Sequence, residues 1–250
     1  MVFKKLEKSF YVREDTAKIA RELLGKYLIT DIGKEGLTGG KIVETEAYLG
    51  ATDKASHGYM NRKTERNKNL YKSGGNAYVY FIYGMYCLFN VVTGKENTAD
   101  AVLIRAIEPE IGLDAMFKRR KKNLNFKSDK NRLASGPGLL TIALGIDLRH
   151  NGIPICENKA GGELNSNENG NKRIVNESNN ERDNRDGNDG FKIVKTPIKN
   201  ETLEIWLEDR NVNPGEKDIV ETARIGVGYA GEHALLPLRF KIKDSKWVSR

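Results

Sequence analysis

Glu44, Glu46 and Tyr48 fall on one face of a strand-like stretch, because side chains of an extended chain alternate and Val43, Thr45 and Ala47 take the other face. Two carboxylates and a phenol are poor core material. Burying them costs free energy unless each is paired, so that face belongs to solvent or to a site. A carboxylate held in a pocket can activate water. Spacing disfavours a glycosidase pair: residues two apart on a strand lie about 7 Å apart, but both reach the same side of a sugar ring instead of flanking it. Further along comes an aromatic run from Tyr78 to Asn90, with Gly84 where a hairpin would turn. Tyr78 and Tyr80 share a face, and Tyr78, Val79 and Phe81 are expected in the sheet core. Tyr83, beside the turn glycine, has little core to enter. An exposed ring at a hairpin tip is costly in water unless it inserts into something.

These residues need a sheet to hold them. Lys26–Thr30 and Gly40–Ala47 read as paired strands joined by the Gly-rich turn Gly33–Gly39. Ala101–Ala106 reads as a strand ending at Arg105, whose guanidinium is either snorkelling at an edge or aimed at an anion. Later strands are expected at Leu203–Leu207 and Leu238–Ile242. Phe10–Gly25 reads as a helix capped by Asp15 or Thr16 and stopped by Gly25. Gly112–Lys122 reads as a short basic helix, and Gly136-Pro137-Gly138 opens an apolar one, Leu139–Leu144. Those glycines are not a nucleotide loop, since no GxGxxG follows a strand and no Lys-Ser/Thr follows them. Thr52–Leu70 is a polar loop carrying Arg62, Lys63, Arg66 and Lys68, suited to tracking phosphates. Both element types without a βαβ rhythm imply an α+β fold: a curved, largely antiparallel sheet with peripheral helices and a protruding β-hairpin.

The 250 residues suffice for a single domain over 1–250. Residues 157–190 hold ten asparagines and few large aliphatics, too little apolar surface to offset chain ordering, so a disordered insertion is expected there. Ordered sequence is expected to resume at Phe191. The net charge is +8, and since 157–190 carries eight acids against five bases, the rest carries about +11. That balance favours a polyanionic partner. No apolar run approaches the ~20 residues of a membrane span, and no signal peptide opens the chain. Two cysteines without a CxxC and three histidines without metal spacing predict no metal. A cytoplasmic protein is expected.

The central stretch thus combines an acid–base glutamate, flat aromatics, a basic frame and a probing hairpin. Aromatics stack a base taken out of a duplex, and a wedge fills the gap it leaves. At this point the chain resembles the alkyladenine (3-methyladenine) DNA glycosylases. The resemblance runs from Ala20-Arg-Glu-Leu-Leu-Gly through Val43-Glu-Thr-Glu-Ala-Tyr, Tyr80-Phe-Ile-Tyr-Gly-Met-Tyr and Ala134-Ser-Gly-Pro-Gly. It continues to Arg224-Ile-Gly-Val-Gly-Tyr-Ala-Gly-Glu and Trp247-Val-Ser. It implies that Glu46 is the general base acting on a water at C1′ and that Arg105 lies beside that water and the target phosphate. Tyr48, His57 and Tyr80 would sandwich the extruded base, Asn90 would disfavour the 2-amino group of guanine, and Tyr83 with Met85 would enter the minor groove. No lysine stands at a motif position suited to attack C1′, which implies a monofunctional enzyme. No cofactor is implied; the partner is double-stranded DNA containing damaged purines, and the chain is expected to be monomeric. The family commonly shows Thr-Pro-Arg-Asn where this chain has Thr64-Glu65-Arg66-Asn67, which implies a differently placed DNA-facing loop.

One geometric consequence follows. For Tyr80 and Asn90 to share a face, the hairpin loop must hold an odd number of residues or a bulge must shift the register. A two-residue turn would separate them and force positive φ on Tyr83. The expectation is a three-residue loop, Tyr83 to Met85. The competing reading is a non-catalytic nucleic-acid-binding module using the same rings and charge.

Overall fold

The computed structural model describes residues 3–122, 130–156 and 203–249; the expected insertion at 157–190 and the ordered sequence expected from Phe191 lie outside them. The first helical stretch divides in two, α1 (Lys8–Tyr11) and α2 (Thr16–Glu22), following the short β1 (Lys4–Lys5). The expected continuous helix is corrected here. Asp15 holds a non-helical backbone, and its carboxylate accepts from Lys18 N at 2.8 Å, so it starts a new helix instead of continuing one. β2 (Tyr27–Asp31) and β3 (Leu37–Leu49) pair as expected, from Tyr27 opposite Lys41 to Asp31 opposite Leu37. The connection is tighter than Gly33–Gly39, and Gly39 and Gly40 lie within β3.

β4 (Ala77–Ile82) and β5 (Tyr86–Thr93) form the hairpin, and the loop between them is Tyr83-Gly84-Met85, the three residues expected. Tyr78 lies opposite Asn90 and Tyr80 opposite Leu88, so Tyr80 and Asn90 share a face. The longer loop does not spare Tyr83, whose φ is +54°, with Gly84 at +67°. Phe81 was expected in the core and is 45% exposed. It pairs with Cys87 near the outer end of the hairpin, beyond the reach of the core. Tyr78 and Val79 are buried as expected.

β6 (Asp100–Ile111) passes through Arg105 without ending. The register explains how. Glu44 lies opposite Ala106 and Thr45 opposite Ile104, so Arg105 is an extra residue on its strand, a bulge that aims its side chain without breaking the sheet. After α3 (Leu113–Lys121) and α4 (Pro137–Leu144) come β7 (Glu204–Asp209), β8 (Ile219–Thr222) and β9 (Arg239–Ile242). β1 and β8 carry no alternation long enough to announce them. The described strands are all paired antiparallel, in the order β1-β7-β2-β3-β6-β5-β4, with β9 between β3 and β8. The fold is α+β.

β3 is flanked on both edges along its length, by β2 and then β9 on one side and by β6 on the other. It is also covered on both faces, which corrects the half-buried expectation. Thr45 Oγ1 donates to Ala20 O of α2 at 2.8 Å on one side, while Glu44 and Glu46 are fully buried on the other. The apolar core joins α2, β2, β3, β5, β6 and α4 through Ile19, Leu28, Ile42, Phe89, Ile104 and Leu140. Among the described residues no helix is long and apolar enough to cross a membrane.

Candidate active site

Strand register alone assembles the site. Glu46 lies opposite Leu103, Leu103 opposite Asn90, and Asn90 opposite Tyr78, so one row of side chains crosses β3, β6, β5 and β4 on a single face. Next to that row opens a cavity of about 1140 Å³. Tyr48, His57, Tyr80, Tyr83, Asn90 and Arg105 all line it, although they are scattered over half the sheet and a loop. Met85 is not on its wall; it is 63% exposed at the hairpin tip beside Tyr83, itself 78% exposed.

Glu46 is set back from the cavity with no exposed surface. Its Oε2 accepts from the Tyr48 hydroxyl at 2.8 Å, and its Oε1 accepts from the backbone N–H of Ile225 at 2.8 Å and lies 3.1 Å from Arg105 Nη1. Tyr48, Arg105 and Ile225 line the cavity, so the carboxylate is one hydrogen bond behind the wall. Burial first, and the Glu46 carboxylate second, push the Tyr48 phenol well above its ordinary value, which keeps it a neutral donor. Burial works against the Arg105 charge, yet Glu46 and Glu44 outweigh it and hold the guanidinium above its usual range.

Glu44 has a different part. Its carboxylate accepts from Arg105 Nε at 2.9 Å, Arg239 Nε at 2.6 Å, Ser249 N at 2.6 Å and Ser249 Oγ at 2.8 Å. This resolves the two options left open for that face: Glu44 is neither solvated nor on the cavity wall, but fully paired in the interior.

The aromatic part of the cavity wall is built from β4 and the loop after β3. His57 Nδ1 is 2.9 Å from the Tyr78 hydroxyl, and the His57 and Tyr80 rings meet edge-on with centroids 4.6 Å apart. Tyr78, read from sequence as core alone, therefore also anchors His57. Burial lowers the His57 pKa below 6.5 and Arg66 lowers it further, so the imidazole is neutral at pH 7. Burial raises Tyr78 to about 12 and Tyr80 upward as well. Asn90 Nδ2 donates to Tyr78 O at 3.1 Å, which orients its amide.

The basic loop closes over the mouth, with Arg62 and Arg66 on the wall. Asn67 ties it down, donating from Nδ2 to His57 O at 2.9 Å and Arg62 O at 2.8 Å and accepting from Thr64 N at 2.7 Å. Glu65 leaves those bonds intact and instead pairs with Lys68 at 2.8 Å on the surface. Sequence reasoning gave no role to Asp53 and Arg224, a buried ion pair spanning 171 positions. Arg224 also lies 4.7 Å from the centre of the Tyr48 ring. No local spacing signals a pairing that long.

Residues 9–182 match the family model described as methylpurine-DNA glycosylase. The chain belongs to that family. Its similarity to other members covers almost its whole length. A Clostridium tetani protein provisionally named 3-methyladenine DNA glycosylase is 39% identical over 250 residues, covering 98% of this chain and 99% of the relative. A Clostridium perfringens protein of the same name is 39% identical over 249 residues, covering 98% and 99%. A Chlamydia felis protein, also so named, is 50% identical over 147 residues, covering 58% of this chain and 73% of its own length. In methylpurine-DNA glycosylase terms, the chain is a DNA glycosylase of base excision repair, and DNA is its substrate.

Proposed function

We propose that the protein extrudes cationic alkylated purines of the 3-methyladenine class from duplex DNA and hydrolyses their N-glycosidic bond. The observation that carries this reading is the Glu46 carboxylate, held by Tyr48 and Arg105 directly behind an aromatic cavity with a basic mouth. Cleavage builds positive charge on the sugar, which a nearby anion stabilises while it takes the proton of an attacking water. Tyr48 and Arg105 touch both the carboxylate and the cavity, so a water at C1′ that hydrogen-bonds the Tyr48 hydroxyl passes its proton to that oxygen as the hydroxyl passes its own to Glu46.

The ring set favours charged bases. A methylated purine cation is attracted to the faces of Tyr48 and Tyr80 and leaves without protonation. A neutral base needs an acid, and the cavity offers a neutral His57 and phenols held at or above about 12 at Tyr78 and Tyr80. The groups on Glu46 are a phenol, a guanidinium and a backbone N–H, none of them a primary amine that could form a Schiff base with the sugar. Lys54 is the lysine among the lining residues and is solvent-exposed, in keeping with hydrolysis without strand cleavage.

Single-turnover assays on duplexes bearing 3-methyladenine test this. Wild type should release the base and leave an intact strand with an abasic site. Glu46→Gln should slow release by about 100-fold or more, the scale of a lost general base, while duplex binding persists. Because Glu46 is fully buried, a non-catalytic binder could hold it equally well. That reading predicts no release by wild type and unchanged or tighter binding by Glu46→Gln.

A further inference from the structure

Residues 224–235 form a segment tied together near its two ends and open between them. At its start, both Nη atoms of Arg224 bond the Asp53 carboxylate, with Nη2 2.9 Å from Oδ1, and they also reach Ala47 O at 2.9 Å and, near its end, His233 O at 3.1 Å. Ile225 N then donates to Glu46, and Val227 and Ala230 pack on Ala55. Beyond this anchor Tyr229 is 72% exposed, yet it lines the same cavity as Tyr83. Its hydroxyl donates to Ala55 O at 3.1 Å, which fixes the direction of the ring and leaves much of it bare. Burial near that hydroxyl raises its pKa, and Tyr83 is among the neighbours that add to the rise.

The residue before it is unexplained by the free protein. Gly228 has no positive φ, and a Cβ built on it meets nothing within 4 Å. Neither backbone conformation nor packing requires glycine there, and the bare main chain leaves room for a ligand to approach closely. Gly228 lies between Val227 and Tyr229, which line the same cavity as Arg62 and Arg66, so an anionic group such as a DNA phosphate suits that wall.

We propose that Tyr229 and the Gly228 backbone form a second contact to the damaged strand, taking the nucleotide next to the extruded one. The ring stacks on that nucleotide's base, and Gly228 leaves room for its phosphate. The extruded base itself goes between Tyr48, His57 and Tyr80, where the His57 and Tyr80 rings meet. This inference rests on the base-extruding reading above.

The test uses the full chain and a duplex with a tetrahydrofuran abasic analogue, carrying 2-aminopurine next to it. Tyr229→Ala should weaken binding about tenfold, the scale of one lost base–aromatic stack, and change the 2-aminopurine fluorescence of the complex. Tyr229→Phe should restore both. Gly228→Val should weaken binding comparably at an unchanged melting temperature, since its side chain meets open space in the free protein. Full affinity and an unchanged fluorescence signal in both Tyr229→Ala and Gly228→Val would overturn the proposal. Release of 3-methyladenine by wild type is measured alongside. Excision with Tyr229-independent binding defeats only the second contact, and Tyr229-dependent binding without excision defeats only the glycosylase reading.

Discussion

Tyr48 works at both ends of its side chain: its hydroxyl donates to Glu46, and its ring lines the cavity with Arg224 against it. The two uses are separable. Tyr48→Phe keeps the ring and removes a hydrogen bond to a charged group, a change of about 1.5–3 kcal/mol. Single-turnover base release should fall about 10–100-fold, while lesion-duplex affinity stays within about twofold, because the stacking surface is retained. An equal loss in affinity and rate would show that the hydroxyl holds substrate and not the carboxylate. Of the acidic pair on β3, types and spacing showed that the two shared a face, and the structure separates their roles by their partners. Arg105 serves both, but Arg239 and Ser249 complete the shell of Glu44, whereas Tyr48 and Ile225 face Glu46 toward the cavity. Apart from Tyr48, two residues along the same strand, those partners lie far away in sequence, where spacing carries no information.

At the scale of elements, the hairpin was the most legible feature, because alternation fixes faces and a face requirement fixes loop parity. What alternation does not report is strain. Tyr83 adopts φ +54° in the left-handed region with its side chain 78% exposed, so the protein holds a costly conformation where it gains no packing. Tyr83→Gly should therefore stabilise the fold by about 1 kcal/mol, a rise of about 2–4 °C in melting temperature for a domain this size, while lesion excision falls. Differential scanning calorimetry and an excision assay on the same sample check both halves; a lower melting temperature would remove strain as the explanation. β6 shows the converse limit. Its run of aliphatics was legible, but Arg105 read as its end, since a bulge is set by the pairing of two strands and neither strand shows it alone.

For the molecule as a whole, stability carries a pH signature from the place where β3, β5 and β6 converge. Asp100 lies opposite both Leu49 and Thr93, and burial raises its carboxyl from 3.8 to about 6, with a Thr16 hydrogen bond working against the rise. The folded state thus keeps a proton that the unfolded chain releases. Its stabilising contribution is complete below pH 3.8 and is lost as pH rises through about 6. Asp100→Asn removes the titration. Its melting temperature relative to wild type should climb between about pH 4 and pH 7, and a flat difference would mean the group is solvated in the folded state. Asp53, lowered by Arg224 against its own burial, acts with the opposite sign, which is why the difference between two proteins is the useful measurement. The α+β class, the two later helices and most of the strands were legible from periodicity and caps, whereas the first helix read as one and is two. β1 and β8 were not, being too short to show a period, and neither was the segment after Arg224, which carries no alternation and is held by a buried ion pair.

The anchors of Glu44 have a further consequence for how the protein comes into being. Arg239 and Ser249 leave the ribosome after the other residues named at the site, yet one pairs with and the other hydrogen-bonds to the carboxylate that holds Arg105 beside Glu46. A nascent chain that has emerged only as far as Tyr229 carries the aromatic cavity residues but leaves Glu44 with a single arginine. Closure of the shell around Glu44 therefore waits on residues 239–249, so the setting of Arg105 beside Glu46 follows their arrival and not the formation of the aromatic wall.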